Sequence, residues 1–94
     1  MLDTANQIAG SQIAYSHRLR TITAPGGKAV RLSRGEMLIF HAIARAHPEA
    51  TALPSMPRNV RHVLVHRLRA KLRLLGCGVL HVENEGYLLR LAQN

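Results

Sequence analysis

Three patterns predict an α+β domain. Strand-like stretches around a Pro-Gly-Gly turn fill residues 12–33, two stretches with helical periodicity follow, and the chain closes with strand, tight turn and strand. At 94 residues it has the size of one domain, near the small end of what buries its own core. The expected division is a loosely held, small and polar arm over residues 1–11 and a single domain over 12–94.

The elements follow in order. In "YSHRLRTIT", Leu19, Thr21 and Thr23 alternate with Arg18, Arg20 and Ile22, which predicts a strand. "TAPGGKAV" supplies the turn of a short antiparallel hairpin whose return strand covers residues 28–32. Ser33 followed three residues later by Glu36 is a capping box, which satisfies two free amide donors at a helix start. Met37, Phe40, Ile43 and Ala44 then share one face, and Pro48 limits the first helix to residues 34–47. Three prolines in 48–57 leave room for no more than one helical turn, so a short connector is expected. Pro57 suits the first position of a second helix over 57–75, and Gly76 suits its stop. In "GVLHVENEGYLLRL", Leu80 and Val82 alternate with His81 and Glu83, and Tyr87, Leu89 and Leu91 return, giving a hairpin over 79–91.

Composition narrows the function. Aromatics are only 3%, so the core must come from Leu, Val, Ile and Ala, anchored by Phe40, Tyr15 and Tyr87. Thirteen Lys/Arg against five Asp/Glu give a net charge of +8, a field that attracts polyanions, nucleic acid foremost. A single cysteine, Cys77, excludes an internal disulfide and suits a reduced, cytoplasmic setting. The opening residues carry Asp3 and no apolar run, unlike a secretory signal, and no stretch approaches the roughly 18 apolar residues of a membrane span. The five acids, Asp3, Glu36, Glu49, Glu83 and Glu85, are scattered, and no nucleophile elbow or phosphate loop is present, so neither catalysis nor a cofactor is expected. His62 with His66, or Cys77 with His81, offers only a pair of ligands where a closed zinc site needs four, so no metal is expected.

The second helix is the informative one. It carries Arg58, Arg61, Arg67, Arg69, Lys71 and Arg73 with no acid among them. At about 100° per residue, Leu64, Val65, Leu68, Leu72 and Leu75 form one stripe that must pack inward. Asn59, His62, Val63, His66, Ala70 and Arg73 fall opposite, with Arg67 and Arg69 at the flanks. A membrane-surface helix would prefer Trp or Phe on the apolar face, and this one has neither. A B-DNA major groove, about 12 Å wide, admits a helix, and the outward residues are of the useful types. Arg forks onto guanine, Asn and His bond base edges, and Val63 or Ala70 can touch a thymine methyl. RNA is less favoured, because the exposed face has no aromatic for base stacking.

Three stretches also resemble the winged-helix effector domain of OmpR/PhoB-type response regulators. "LSRGEMLIFHAI" is similar to that family's Leu-Thr-x-x-Glu-Phe helix opening, and "VHRLRAKL" to the end of its recognition helix. "HVENEGYLL" resembles its Thr-Val-Arg-Gly-x-Gly-Tyr wing at Val82, Gly86 and Tyr87. The likeness covers about residues 12–91, in order and at matching spacing. It implies a winged helix-turn-helix in which the 57–75 helix enters the major groove. Asn59, His62, Val63, His66 and Arg67 would meet bases, while Arg58, Arg69, Arg73 and Tyr87 would hold phosphates. The implied partner is double-stranded DNA, with RNA polymerase or another transcription regulator as a protein partner and a dimer on DNA as one arrangement.

The departures from that pattern shape the expectation. No phosphoacceptor segment lies on these residues, so the expected form is a stand-alone effector-like regulator, bacterial or phage, at the nucleoid. The connector is far shorter than the family's second helix and loop, and Arg61 falls where the family has a core aliphatic. The wing tip reads Glu83, Asn84, Glu85, whose carboxylates phosphates would repel, so this tip stays off the backbone or serves a protein. The competing expectation is therefore a protein-interaction module with weak or nonspecific DNA binding.

Overall fold

A computed structural model describes residues 6–8 and 11–91. The elements run β1 (Asn6–Gln7), β2 (Ala14–Ser16), β3 (Thr21–Thr23), β4 (Ala29–Arg31), α1 (Arg34–Ala46), α2 (Arg58–Arg73), β5 (Gly78–Val82) and β6 (Gly86–Arg90). Strands β1–β4 form an antiparallel sheet in sequence order, and β5–β6 form a separate hairpin. This is a small α+β fold, with α2 packed on α1 and β5, and α1 packed on β6.

The N-terminal sheet corrects two expectations. The stretch 15–23 is two strands, because residues 17–20 turn back and Tyr15 faces Ile22 across the ladder. Ser16 drives this turn locally: its hydroxyl accepts from the Leu19 amide at 3.1 Å, competing with continued extension. Arg20 completes the turn at φ 56°, and its carbonyl accepts from the Leu32 amide. Residues 6–8 do not belong to a loose arm. Asn6 and Gln7 pair with β2, and Ile8 is buried in the core, an apolar anchor that the polar residues around it obscure. Residues 1–5, 9 and 10 of that expected arm lie outside the described residues. The Pro-Gly-Gly turn closes as read, with Gly26 and Gly27 both at positive φ.

Helix α1 starts on the capping box, with the Glu36 amide donating to Ser33 Oγ at 3.2 Å and the Ser33 amide donating to Glu36 Oε1 at 2.7 Å. Its buried face holds Met37, Ile39, Phe40, Ile43 and Ala44. Gly35 permits close approach to α2, since a Cβ there would meet Leu64 Cδ1 at 2.9 Å. Pro57 is the N-cap of α2 rather than its first helical residue, and residues 74–76 form a turn beyond its end. Gly76 sits in that turn at φ 75°.

The last hairpin buries the expected parity on β6, where Leu89 is core with Tyr87 and Leu91 packed beside it, but the other parity on β5. Val79 and Leu89 face each other in the core, whereas Leu80 is exposed. Val79, Leu80 and Val82 put apolar residues on both faces of β5, so alternation alone could not select the inward one. The connector adds one rung outside the hairpin: Thr51 and Tyr87 exchange two backbone hydrogen bonds of 2.8 Å.

The buried carboxylate of Glu36 also accepts from Lys71 Nζ at 2.6 Å. Burial raises its pKa, but the hydrogen bonds from Lys71 and Ser33, with the Lys71 charge, outweigh this and hold it below the ordinary carboxylate value. A depressed folded pKa gives stability that is fully present above the unfolded value of about 4.3 and is lost as pH falls through the folded value. Glu36→Gln keeps an acceptor for Ser33 and Lys71 but removes the charge. It should cost about 1–2 kcal/mol in urea unfolding at neutral pH, and the deficit should vanish in acid.

Gly86 gives a second test. It has φ 106°, and a Cβ there would overlap the Thr51 carbonyl oxygen. Gly86→Ala should break the Thr51–Tyr87 rung and cost about 1–3 kcal/mol, read by thermal unfolding and by faster amide exchange at Thr51 and Tyr87.

Candidate nucleic-acid interface

The two sides of α2 have opposite fates. Val65, Leu68 and Leu72 are buried, Leu75 beyond the helix end is buried with them, and Leu64 packs at the margin. Arg58, Asn59, His62, Val63, His66, Arg67, Arg69, Ala70 and Arg73 are all exposed. The residues expected to meet bases therefore share one solvent-facing surface. It has little acid to contend with, since α2 contains none and Glu36 lies buried behind it. Arg61, on the inward side of the first turn, is half-buried.

The cations are not equivalent. Lys71 points away from this surface, donating to Glu36 and, at 3.1 Å, to the Arg31 carbonyl. It joins α2 to α1 and to the end of β4. Arg69, expected at a phosphate, gives its Nε to the Val79 carbonyl at 3.1 Å. That bond covers an outward-facing carbonyl of β5 and ties the hairpin to the helix. Among the described residues, Arg58, Arg61, Arg67 and Arg73 form no ion pair. Lys71 could be assigned inward from its helical angle, close to Leu64, but the Arg69 bond depends on a hairpin position that periodicity does not supply.

The hairpin sits beside this surface, held at three points. Arg69 holds β5, the Thr51–Tyr87 rung holds β6, and His47 Nδ1 pairs with the Leu89 carbonyl at 3.1 Å. Tyr87, expected at a phosphate, is half-buried against the core, with its ring 4.9 Å from that of His81. Glu83, Asn84 and Glu85 form the exposed tip, where Asn84 takes φ 66° and the Glu85 amide donates to the Val82 carbonyl. Asn tolerates that left-handed conformation better than most residues.

At the other end of α2, Pro57 offers no side-chain cap and the first turn holds no acid. The first free amides beside Arg58 thus keep their partial positive charge for a solvent-borne anion. Among the described residues, no three His, Cys, Asp or Glu side chains gather where a metal could be held, and no helix is long and apolar enough to cross a membrane. The chain matches no protein-family model and no curated protein.

The Arg69 bond is testable. Arg69→Lys keeps the charge but loses the Nε donor, so exchange of β5 amides should accelerate about fivefold, equivalent to roughly 1 kcal/mol, while α1 amides stay unchanged.

Proposed function

We propose that this protein is a winged-helix DNA-binding regulator of the OmpR/PhoB effector type, acting in the cytoplasm by laying α2 in a major groove. The observation that carries the reading is the surface of α2. Base-reading side chains (Asn59, His62, His66, Arg67) and unpaired arginines share the exposed side of a helix whose other side is core. Uniform positive charge on such a helix is self-repulsive unless a polyanion faces it. Double-stranded DNA supplies both that charge and base edges of matching chemistry. In this reading, Asn59, His62, Val63, His66 and Arg67 read bases, while Arg58 and Arg73 anchor the backbone. Arg69 adds charge but chiefly sets the hairpin's position.

The acidic tip favours a second reading. Glu83 and Glu85 would face a phosphate backbone unfavourably, so the tip suits a basic surface of another regulator or of RNA polymerase. In that case DNA binding is weak and nonspecific.

Selection of bound duplexes from a random-sequence pool, read by gel shift, separates the two. Under the first reading one sequence class is enriched. Arg67→Ala then costs about 1–3 kcal/mol on the selected site and much less on random DNA. Arg73→Ala weakens both DNAs alike and flattens the slope of log K against log salt by about one. Equal affinity for every duplex, with both variants behaving identically, would exclude sequence-specific regulation.

A further inference from the structure

A second gathering of basic groups lies away from the exposed surface of α2. His41 and Arg45 sit one turn apart on α1, about 140–180° around the helix from Glu36, where α2 makes its ion pair. They border an open pocket of about 410 Å³ together with Gln7, Tyr15 and His47. Four segments therefore meet here: β1, β2, α1 and the residue that follows it.

Among the described residues the polar side chains of the lining are Gln7, Tyr15, His41, Arg45 and His47, none of them a carboxylate. Tyr15 Oη and His41 Nδ1 share a hydrogen bond of 3.1 Å, and the His17 ring lies against that of His41 with centroids 4.3 Å apart. The Tyr15 ring is further held edge-on to Phe40. This packing fixes His41 and Tyr15. Gln7 gives its amide to the Ser11 carbonyl and closes the rim, whereas Arg45 is exposed and pairs with no described acid. Among the described residues the Arg45 guanidinium has no ion-pair partner at the edge of the pocket, so an anion entering it displaces no acid.

We propose that this pocket binds the phosphate group of a small molecule, or free phosphate, at a site separate from α2. Arg45 supplies the forked charge, and the rings of His41 and His47 with the Tyr15 hydroxyl surround it. The pocket is larger than one phosphate needs, which leaves space for the rest of a phosphomonoester. Burial, then the neighbouring His17 and Arg45, hold the pKa of His41 below the ordinary histidine value. A bound phosphate would oppose the last two effects and raise it.

The test follows the histidine ring signals by NMR at about pH 6.5, titrating inorganic phosphate against chloride at matched ionic strength. The expected result is a saturable, phosphate-only shift at His41 and His47, with His62, His66 and His81 unmoved. The titration midpoint of His41 should rise when phosphate is bound. Arg45→Gln should weaken binding at least about tenfold, and Arg45→Lys less, because lysine keeps the charge but not the fork. Arg45 is exposed, so both variants should keep the wild-type spectrum elsewhere. Glycerol phosphate run in parallel identifies the source: tighter binding than inorganic phosphate assigns a phosphomonoester, and equal binding assigns phosphate itself. Shifts that are linear, shared with chloride or unchanged in Arg45→Gln would overturn the proposal. So would a His41 shift produced by duplex DNA but not by phosphate, which would make the pocket part of the nucleic-acid surface. Absence of DNA binding altogether would leave the phosphate result to stand by itself.

Discussion

The carboxylate of Glu36 is the constraint on which the arrangement of this fold depends. It is buried, so it must be compensated, and its two partners come from different helices or their caps. The Ser33 amide ties it to the start of α1, and Lys71 ties it to α2. The same ammonium bonds the Arg31 carbonyl, which brings in the end of β4. One oxygen, Oε1, accepts from both Ser33 and Lys71, so helix initiation and helix–helix register are coupled at one atom. With Lys71 thus fixed, the rotation of α2 about its axis is set: Leu68 and Leu72 fall into the core, and Asn59, His62, His66 and Arg67 fall outward.

That rotation gives the basic helix its separate roles. Its leucine stripe is core, one of its cations is an internal tie, another braces the hairpin, and Arg58, Arg67 and Arg73 face solvent with the polar residues. Burial of the stripe supplies the favourable energy, and the polar ties decide orientation more than total stability, as is usual for partly exposed ion pairs. The proposed role in binding DNA uses what is left after those structural demands. It therefore rests on fewer cations than the net charge suggests.

The same economy applies at the hairpin. Two backbone bonds to Thr51, one from Arg69 and one between His47 and the Leu89 carbonyl hold it against the helices. The connector is short and non-helical, yet it is ordered by the rung it shares with Tyr87. Gly86 permits that close approach, and its positive φ aims the turn at the tip. The Glu83–Glu85 tip is displayed by a braced element rather than by a free loop, which is what recognition of either a nucleic acid or a protein would require.

Sequence alone determined the elements whose causes are local. The capping box, the apolar period of both helices, the Pro-Gly-Gly turn and the exposed basic surface of α2 each follow from residues within a few positions of one another. It also located the α2 members of the expected interface on one exposed surface, because helical angle depends only on spacing, whereas Tyr87 lies half-buried in the hairpin. Tertiary structure decided what depends on distant partners. The strand predicted through residues 17–20 became a turn, Ile8 became core within a polar segment, and Val79 rather than Leu80 faced inward. Arg69 and Lys71 were committed to Val79 and Glu36, and Tyr15, His17, His41 and Arg45 came together from two segments far apart in the chain. Periodicity reports which residues share a side of one element, but a side chain's partner is set by how elements pack, and that information is absent from spacing along the chain.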